Sequence, residues 1–239
     1  MQMIALKRVN LWTAGVLLAL AAVAWYLSIA GLGSMAMMEV SAPIYMAVWL
    51  TMMVAMMFPA VAPVVATLAR VAQRRKEAWL TVPAFVAGYL GVWTVAGLLP
   101  LAVYLSSRGM VAGMSGSPPG AIAIGGLLVI AGLYQFTPWK STCLCACRSA
   151  IGIVMSHDFR TGAMGASRAG ASHGAYCLGC CWALMAVLVA VGLMSLPLMA
   201  GLTVLFVAEK NWRYGWGLSR VVGATGAAAG LIVIGTALL

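Results

Sequence analysis

Charge is scarce in this sequence, and acidic charge scarcer still. Only 8% of the 239 residues are charged, and Asp and Glu together number four. A water-soluble domain carries roughly 25% charged residues, enough to coat its surface. Fourteen Lys and Arg and four Asp and Glu cannot coat a 24.8 kDa body, which excludes a soluble enzyme, a secreted domain and a disordered chain. The sequence also lacks paired catalytic carboxylates, a Walker loop, a nucleophile elbow and a dinucleotide fingerprint. Ordinary hydrolytic and nucleotide-driven functions therefore have no support. No period-2 alternation is visible, so a membrane β-barrel is excluded as well.

What the sequence has is apolar length. Hydrophobic residues make up 64% and the mean hydropathy is +1.04. Long apolar runs lie at about 11–32, 43–68, 80–105, 121–138, 176–194, 197–208 and 218–239. A spanning helix needs about 20 residues, so the sixth run is short, and Ser195-Leu196-Pro197 breaks the chain before it. The expectation is an all-α, polytopic helical membrane bundle of six to seven transmembrane helices, forming one transmembrane domain over 1–239. If the runs around Pro197 form a re-entrant hairpin, five full spans remain. Lys7 and Arg8 precede a run too long for a cleaved signal peptide, so it reads as a retained anchor.

The net charge of +10 reflects orientation rather than nucleic acid, because most of the chain would lie in lipid. With seven spans, Lys7, Arg8, Arg70, Arg74, Arg75, Lys76, Lys140, Arg148, Arg160, Arg168, Lys210, Arg213 and Arg220 fall on one side. Arg108 alone falls on the other. The positive-inside rule then puts the N-terminus inside and the C-terminus outside. The longest connection, 139–175, lies on the inside. Ile151, Val154, Met155 and Phe159 recur there at helical spacing, as in a piece lying on the inner membrane surface. The last run carries Gly223, Gly226, Gly230 and Gly235, a small-residue face for close packing. Tyr134, Trp139, Tyr176, Trp182, Trp212, Tyr214 and Trp216 fall near span ends, where aromatic belts place them.

The chemistry is concentrated in sulfur. All six cysteines fall in two clusters, Cys143, Cys145 and Cys147 after the fourth run and Cys177, Cys180 and Cys181 at the start of the fifth. On the reducing inner side such thiols read as soft-metal ligands rather than disulfides. On a helix, 177, 180 and 181 share a face; in an extended CLCAC segment the alternate cysteines would point one way. Methionine, at 17 residues, is the second signal. Met52 and Met56, and Met53 and Met57, are i, i+4 pairs mid-span, just before Pro59 and Pro63, which free backbone carbonyls and kink a helix. Thioethers are neutral and suit copper(I). Met35, Met37, Met38 and Glu39 form a further group on the outer side. His173, four residues before Cys177, is positioned to join the thiols. Glu209 is either a ligand or half of a self-neutralising pair with Lys210. His157 and Asp158 are weak signals, and no histidine is placed mid-membrane for a bis-His haem.

Three blocks resemble a bacterial family of predicted metal-binding integral membrane proteins, a domain-of-unknown-function family. They are WLTMMVAMMFPAVAP (49–63), YQFTPWKSTCLCACR (134–148) and HGAYCLGCCWALM (173–185), followed by Glu209-Lys210. They are similar to the family's Trp-x-x-Met-Met-x-x-Met-Met-x-Pro, Tyr-Gln-x-x-Pro-x-Lys-x-x-Cys-Leu-x-x-Cys-Arg and Tyr-Cys-x-Gly-Cys-Cys-Trp patterns. The resemblance implies metal binding in the bacterial inner membrane, with Cys143, Cys147, Cys177, Cys180, Cys181, Met52, Met53, Met56 and Met57 matching. Cys145 is an addition to the pattern. The leading expectation is a protein that handles copper(I), by trafficking, storage or delivery to a membrane copper enzyme. Zinc or an iron–sulfur cluster also suits several thiolates. A non-catalytic subunit of a larger membrane complex and a membrane thiol–disulfide protein are the other two readings.

Overall fold

The computed structural model describes residues 2–32, 41–72, 78–106, 117–191 and 195–239. Met35, Met37, Met38, Glu39, Arg74, Arg75, Lys76 and Arg108 lie outside the described residues. Among the described residues there are nine α-helices and no strand. They are α1 (Gln2–Leu27, continued by a π-helical turn Ser28–Leu32), α2 (Ala42–Ala72), α3 (Ala78–Ser106), α4 (Pro118–Tyr134) and α5 (Pro138–Arg148). Then follow α6 (Ala150–Ser156), α7 (Ala163–Val191), α8 (Leu196–Asn211) and α9 (Gly215–Leu238), with a 3₁₀ turn Phe159–Thr161 before α7. The all-α expectation holds. Leu11–Ala30, Ala42–Ala72, Trp79–Ser106, Ala163–Val191 and Gly215–Leu238 are long and apolar enough to cross a membrane, and α4 with α5 makes a sixth such element bent by 65°.

Local sequence explains where these elements start and bend. Ser117 caps α4, its hydroxyl accepting from the Gly120 amide, and Thr137 caps α5, accepting from the Lys140 amide. In each case proline follows the cap, where its missing N–H costs nothing and its fixed φ suits the first turn. Thr137-Pro138 thus ends the run read as 121–138 at Tyr134 and starts a new helix in a new direction. The connection read as 139–175 is mostly helical: it holds α5, α6 and the first half of α7. The run read as 176–194 is the second half of α7, a helix that begins at Ala163. Helix α8, at sixteen residues, is shorter than a full span needs. Of the apolar positions expected at helical spacing here, Ile151 and Met155 on α6 are exposed, while Phe159, in the 3₁₀ turn, lies in the core.

Helix α2 is the centre of the packing. It lies against α1, α3 and α8, and its four methionines are fully buried. Pro59 and Pro63 sit inside α2 without ending it. Pro59 has no N–H to bond the Ala55 carbonyl four residues back. The Trp25 indole of α1 takes that place, donating to Ala55 O at 3.1 Å. Glycine sets the other close approaches. A methyl group at Gly88 of α3 would strike the Ser167 backbone of α7, and one at Gly170 of α7 would strike the Phe85 backbone of α3. The same holds between α4 and α9, where Gly125 and Gly132 face Gly230 and Gly223. Two of the four glycines expected to form a packing face on the last run therefore meet α4 backbone to backbone, while Gly235 faces open space.

Candidate metal centre

Cys177, Cys180 and Cys181 lie on the inward face of α7, as the i, i+3, i+4 spacing requires. All three are buried. The Cys180 and Cys181 thiols each donate to the Cys177 carbonyl, at 3.1 and 2.9 Å. That bond is the usual resting place for a short polar side chain within a helix, and it keeps both sulfurs on the face of Cys177.

The second cysteine group adopts a different geometry from an extended strand. CLCAC lies on α5, a helix, so alternate cysteines diverge and the i, i+4 pair Cys143 and Cys147 shares the face toward α7. Cys147 is buried, in side-chain contact with Cys177 and Cys180. Cys143 is half-buried, and its sulfur fills the space above Gly179, where a side chain would displace it. Cys145 points the other way and is exposed. The six thiols are free.

Around this sulfur group and the adjoining end of α8 lie four polar side chains that sequence reasoning did not place there. The Lys210 ammonium of α8 donates to Cys177 Sγ at 2.9 Å, and it stands 3.8 Å from Met57 Sδ. The Tyr89 hydroxyl of α3 is 3.1 Å from the same Cys177 sulfur. Lys140 of α5, itself buried, reaches Glu209 Oε2 at 2.7 Å. Arg148, one turn beyond Leu144, donates to the Glu209 and Trp212 carbonyls at the end of α8. Helix α5 therefore grips α8 twice, and this grip holds Lys210 over α7. The signal available in the sequence was the rule that an ionisable residue within apolar helices has a partner and a task.

The expected self-neutralising pair Glu209–Lys210 does not form. Consecutive residues on a helix project about 100° apart, so the two side chains cannot face each other. Glu209 goes to Lys140 and Lys210 goes to Cys177. Glu209 Oε1 has no hydrogen-bond partner among the described residues. His173 lies one turn before Cys177 on α7, buried between the rings of Phe85 and Tyr89 at centroid distances of 5.8 and 5.9 Å, and its Nδ1 is unpartnered.

Methionine approaches this group from α2 at Met57, through Lys210. Met52, Met53, Met56 and Met57 belong to the same core as Cys147, Cys177, Cys180 and Cys181. Met57 is the one in contact with Lys210, and Met53 lies one turn further along the same side of α2. Among the described residues, no group of three or more His, Cys, Asp or Glu side chains is arranged so that it could hold a metal ion. The soft donors present are thiols from α5 and α7 and thioethers from α2, with the Lys210 ammonium beside Cys177 and Met57. Such donors suit a soft monovalent ion far better than a hard divalent one.

A family model described as PpoB2, copper chaperone, matches residues 46–233. That range takes in every thiol, thioether and charged residue of the centre. No curated protein and no solved structure matches the chain.

Proposed function

The chain belongs to the PpoB2 copper-chaperone family, and from that premise we propose that it is a membrane-embedded carrier of copper(I). The observation that carries this reading is that Cys147, Cys177, Cys180, Cys181 and Met57, from the three helices α5, α7 and α2, are all buried in one core. Copper(I) is the cargo, held by thiolates and thioethers and passed on by exchange of one soft ligand for another. The centre draws on Cys143 at its rim, on Met52, Met53 and Met56 further along α2, and on the unpartnered His173 nitrogen. Glu209 is better explained as the anchor of Lys140 than as a ligand.

The membrane reading rests on the apolar helices and on the distribution of basic residues. Five long helices and the bent α4–α5 pair supply up to six crossings, and large apolar side chains such as Leu20, Leu99, Val204 and Ile232 are exposed on the outside of the bundle. In water these would be a liability; in lipid they are the expected surface. The thiol centre would then lie toward the cytoplasmic face of the bacterial inner membrane. A membrane copper enzyme is the natural recipient. The family's description gives no support to the accessory-subunit or thiol–disulfide readings.

The test is the metal content of the chain purified in mild detergent under reducing conditions and offered copper(I). At least about one copper per chain is expected, lost when Cys147→Ser is combined with Cys177→Ser. Equal copper in wild type and double variant would overturn the assignment of these sulfurs, and zinc or iron in its place would overturn the choice of metal.

A further inference from the structure

Two ammonium groups are buried in this centre, and they are neutralised differently. Lys140 has a carboxylate, Glu209, at 2.7 Å. Lys210 has no carboxylate within ion-pair distance among the described residues; its contacts are Cys177 Sγ, Met57 Sδ and the Phe206 ring at 5.8 Å. A buried cation surrounded by apolar helices is costly unless an anion answers it. The thioether and the aromatic ring are neutral. The anions this site can offer are thiolates, and Cys177 is the sulfur within hydrogen-bond reach.

We propose that Lys210 is the fixed counter-charge of a two-thiolate copper(I) site centred on Cys177, and that its ammonium gives the pocket its preference for a monovalent ion. The proposal rests on the copper reading above and adds a residue that is not a ligand. Copper(I) binds with no change of oxidation state, and each thiol gives up its proton as its Cu–S bond forms. The second thiolate comes from Cys147, Cys180 or Cys181, the sulfurs that interact with Cys177.

The charge count then decides the selectivity. Two thiolates and copper(I) make a complex of charge −1, which the ammonium brings to zero. Two thiolates with a divalent ion are already neutral, and the ammonium would leave an unbalanced positive charge in a medium that screens it poorly. Lys210 thus favours copper(I) and opposes zinc(II), a repulsive element of the kind that specificity requires. Met57 Sδ is placed to complete the coordination without adding charge.

The experiment measures copper(I) and zinc(II) affinities of the detergent-purified full chain by competition with chelators, for wild type, Lys210→Leu and Lys210→Arg. Leucine removes the charge without adding a metal ligand. Lys210→Leu is expected to lower copper(I) affinity about tenfold or more, as loss of a buried charge partner does, and to raise zinc(II) affinity. A general loss of structure cannot produce that crossed change. Lys210→Arg keeps the charge and is expected to keep the copper preference, which leaves a reading even where the leucine variant fails to fold. Unchanged metal preference in folded Lys210→Leu, or loss of preference in Lys210→Arg, would overturn the role of the charge. A wild-type chain that binds no copper(I) would overturn the copper reading itself and this proposal with it.

Discussion

Glu209 and Lys210 are consecutive on α8 and serve different partners: the carboxylate lies 2.7 Å from Lys140 and the ammonium 2.9 Å from the Cys177 sulfur. One turn of a short helix therefore ties α5 to α8 through an ion pair and α8 to α7 through a thiol. The two ties have different consequences when cut.

Cutting the ion pair is a stability experiment. Lys140→Met leaves Glu209 buried with no counter-charge, and Glu209→Gln leaves Lys140 so. Each single change is expected to destabilise by about 3–5 kcal/mol, while Lys140→Met combined with Glu209→Leu recovers most of that loss. Thermal unfolding in detergent checks it. A double variant as unstable as the worse single would mean the pair is not what links these helices.

Cutting the support of the thiol is a binding experiment. Tyr89 touches the Cys177 sulfur through its hydroxyl, at 3.1 Å. Groups that orient a metal ligand from behind are worth about 10–100-fold in metal affinity. Tyr89→Phe is expected to cost about tenfold in copper(I) affinity with no loss of fold, whereas Tyr214→Phe, on an exposed ring, is expected to cost nothing. Equal affinities in the two variants would remove Tyr89 from the site.

The thiols are expected to react in a fixed order. Cys145 is exposed, Cys143 half-buried and the other four buried. A maleimide added to the folded, reduced protein should modify Cys145 first and Cys143 more slowly. The remaining four should react only on unfolding, because access limits thiol chemistry as much as thiolate content does. Mass spectrometry with peptide mapping reads the order. Cys177 reacting alongside Cys145 would contradict the buried cluster.

Backbone proximity between α3 and α7 holds Tyr89 against Cys177. Gly170→Ala places a methyl against the Phe85 backbone, a clash with atoms that cannot rotate away. Overpacking of this kind costs about 1–3 kcal/mol. Gly235→Ala, which meets open space, is expected to leave the melting temperature unchanged. Similar melting temperatures for the two variants would show that the close α3–α7 approach is not needed.

The helical class and the shared face of Cys177, Cys180 and Cys181 were legible because they follow from apolar runs and periodicity, whereas the inward direction of that face is set by packing. The Met52–Met57 stripe was legible from its i, i+4 spacing, and its burial again comes from packing. The geometry of CLCAC was open until the helix was seen, although Thr137-Pro138, a cap followed by proline, is a local start signal that favours a helix over a strand. The partners of Glu209 and Lys210 were beyond local reasoning. Lys140 is 69 residues from Glu209 and Cys177 is 33 from Lys210, and only the packing of α5, α7 and α8 brings them together.

The bond from Trp25 to the Ala55 carbonyl makes α1 a part of the methionine helix. Pro59 opens a gap in the hydrogen bonding of α2 at the level of its thioethers, and a neighbour closes it. The family match begins at residue 46, after α1, yet the helix that carries the match borrows a donor from the segment before it. A chimera that replaced α1 with another apolar helix of equal length would be hydrophobic enough to take its place and still leave that carbonyl bare. The first helix is therefore not an interchangeable anchor: whatever stands there must offer an N–H at the height of Ala55.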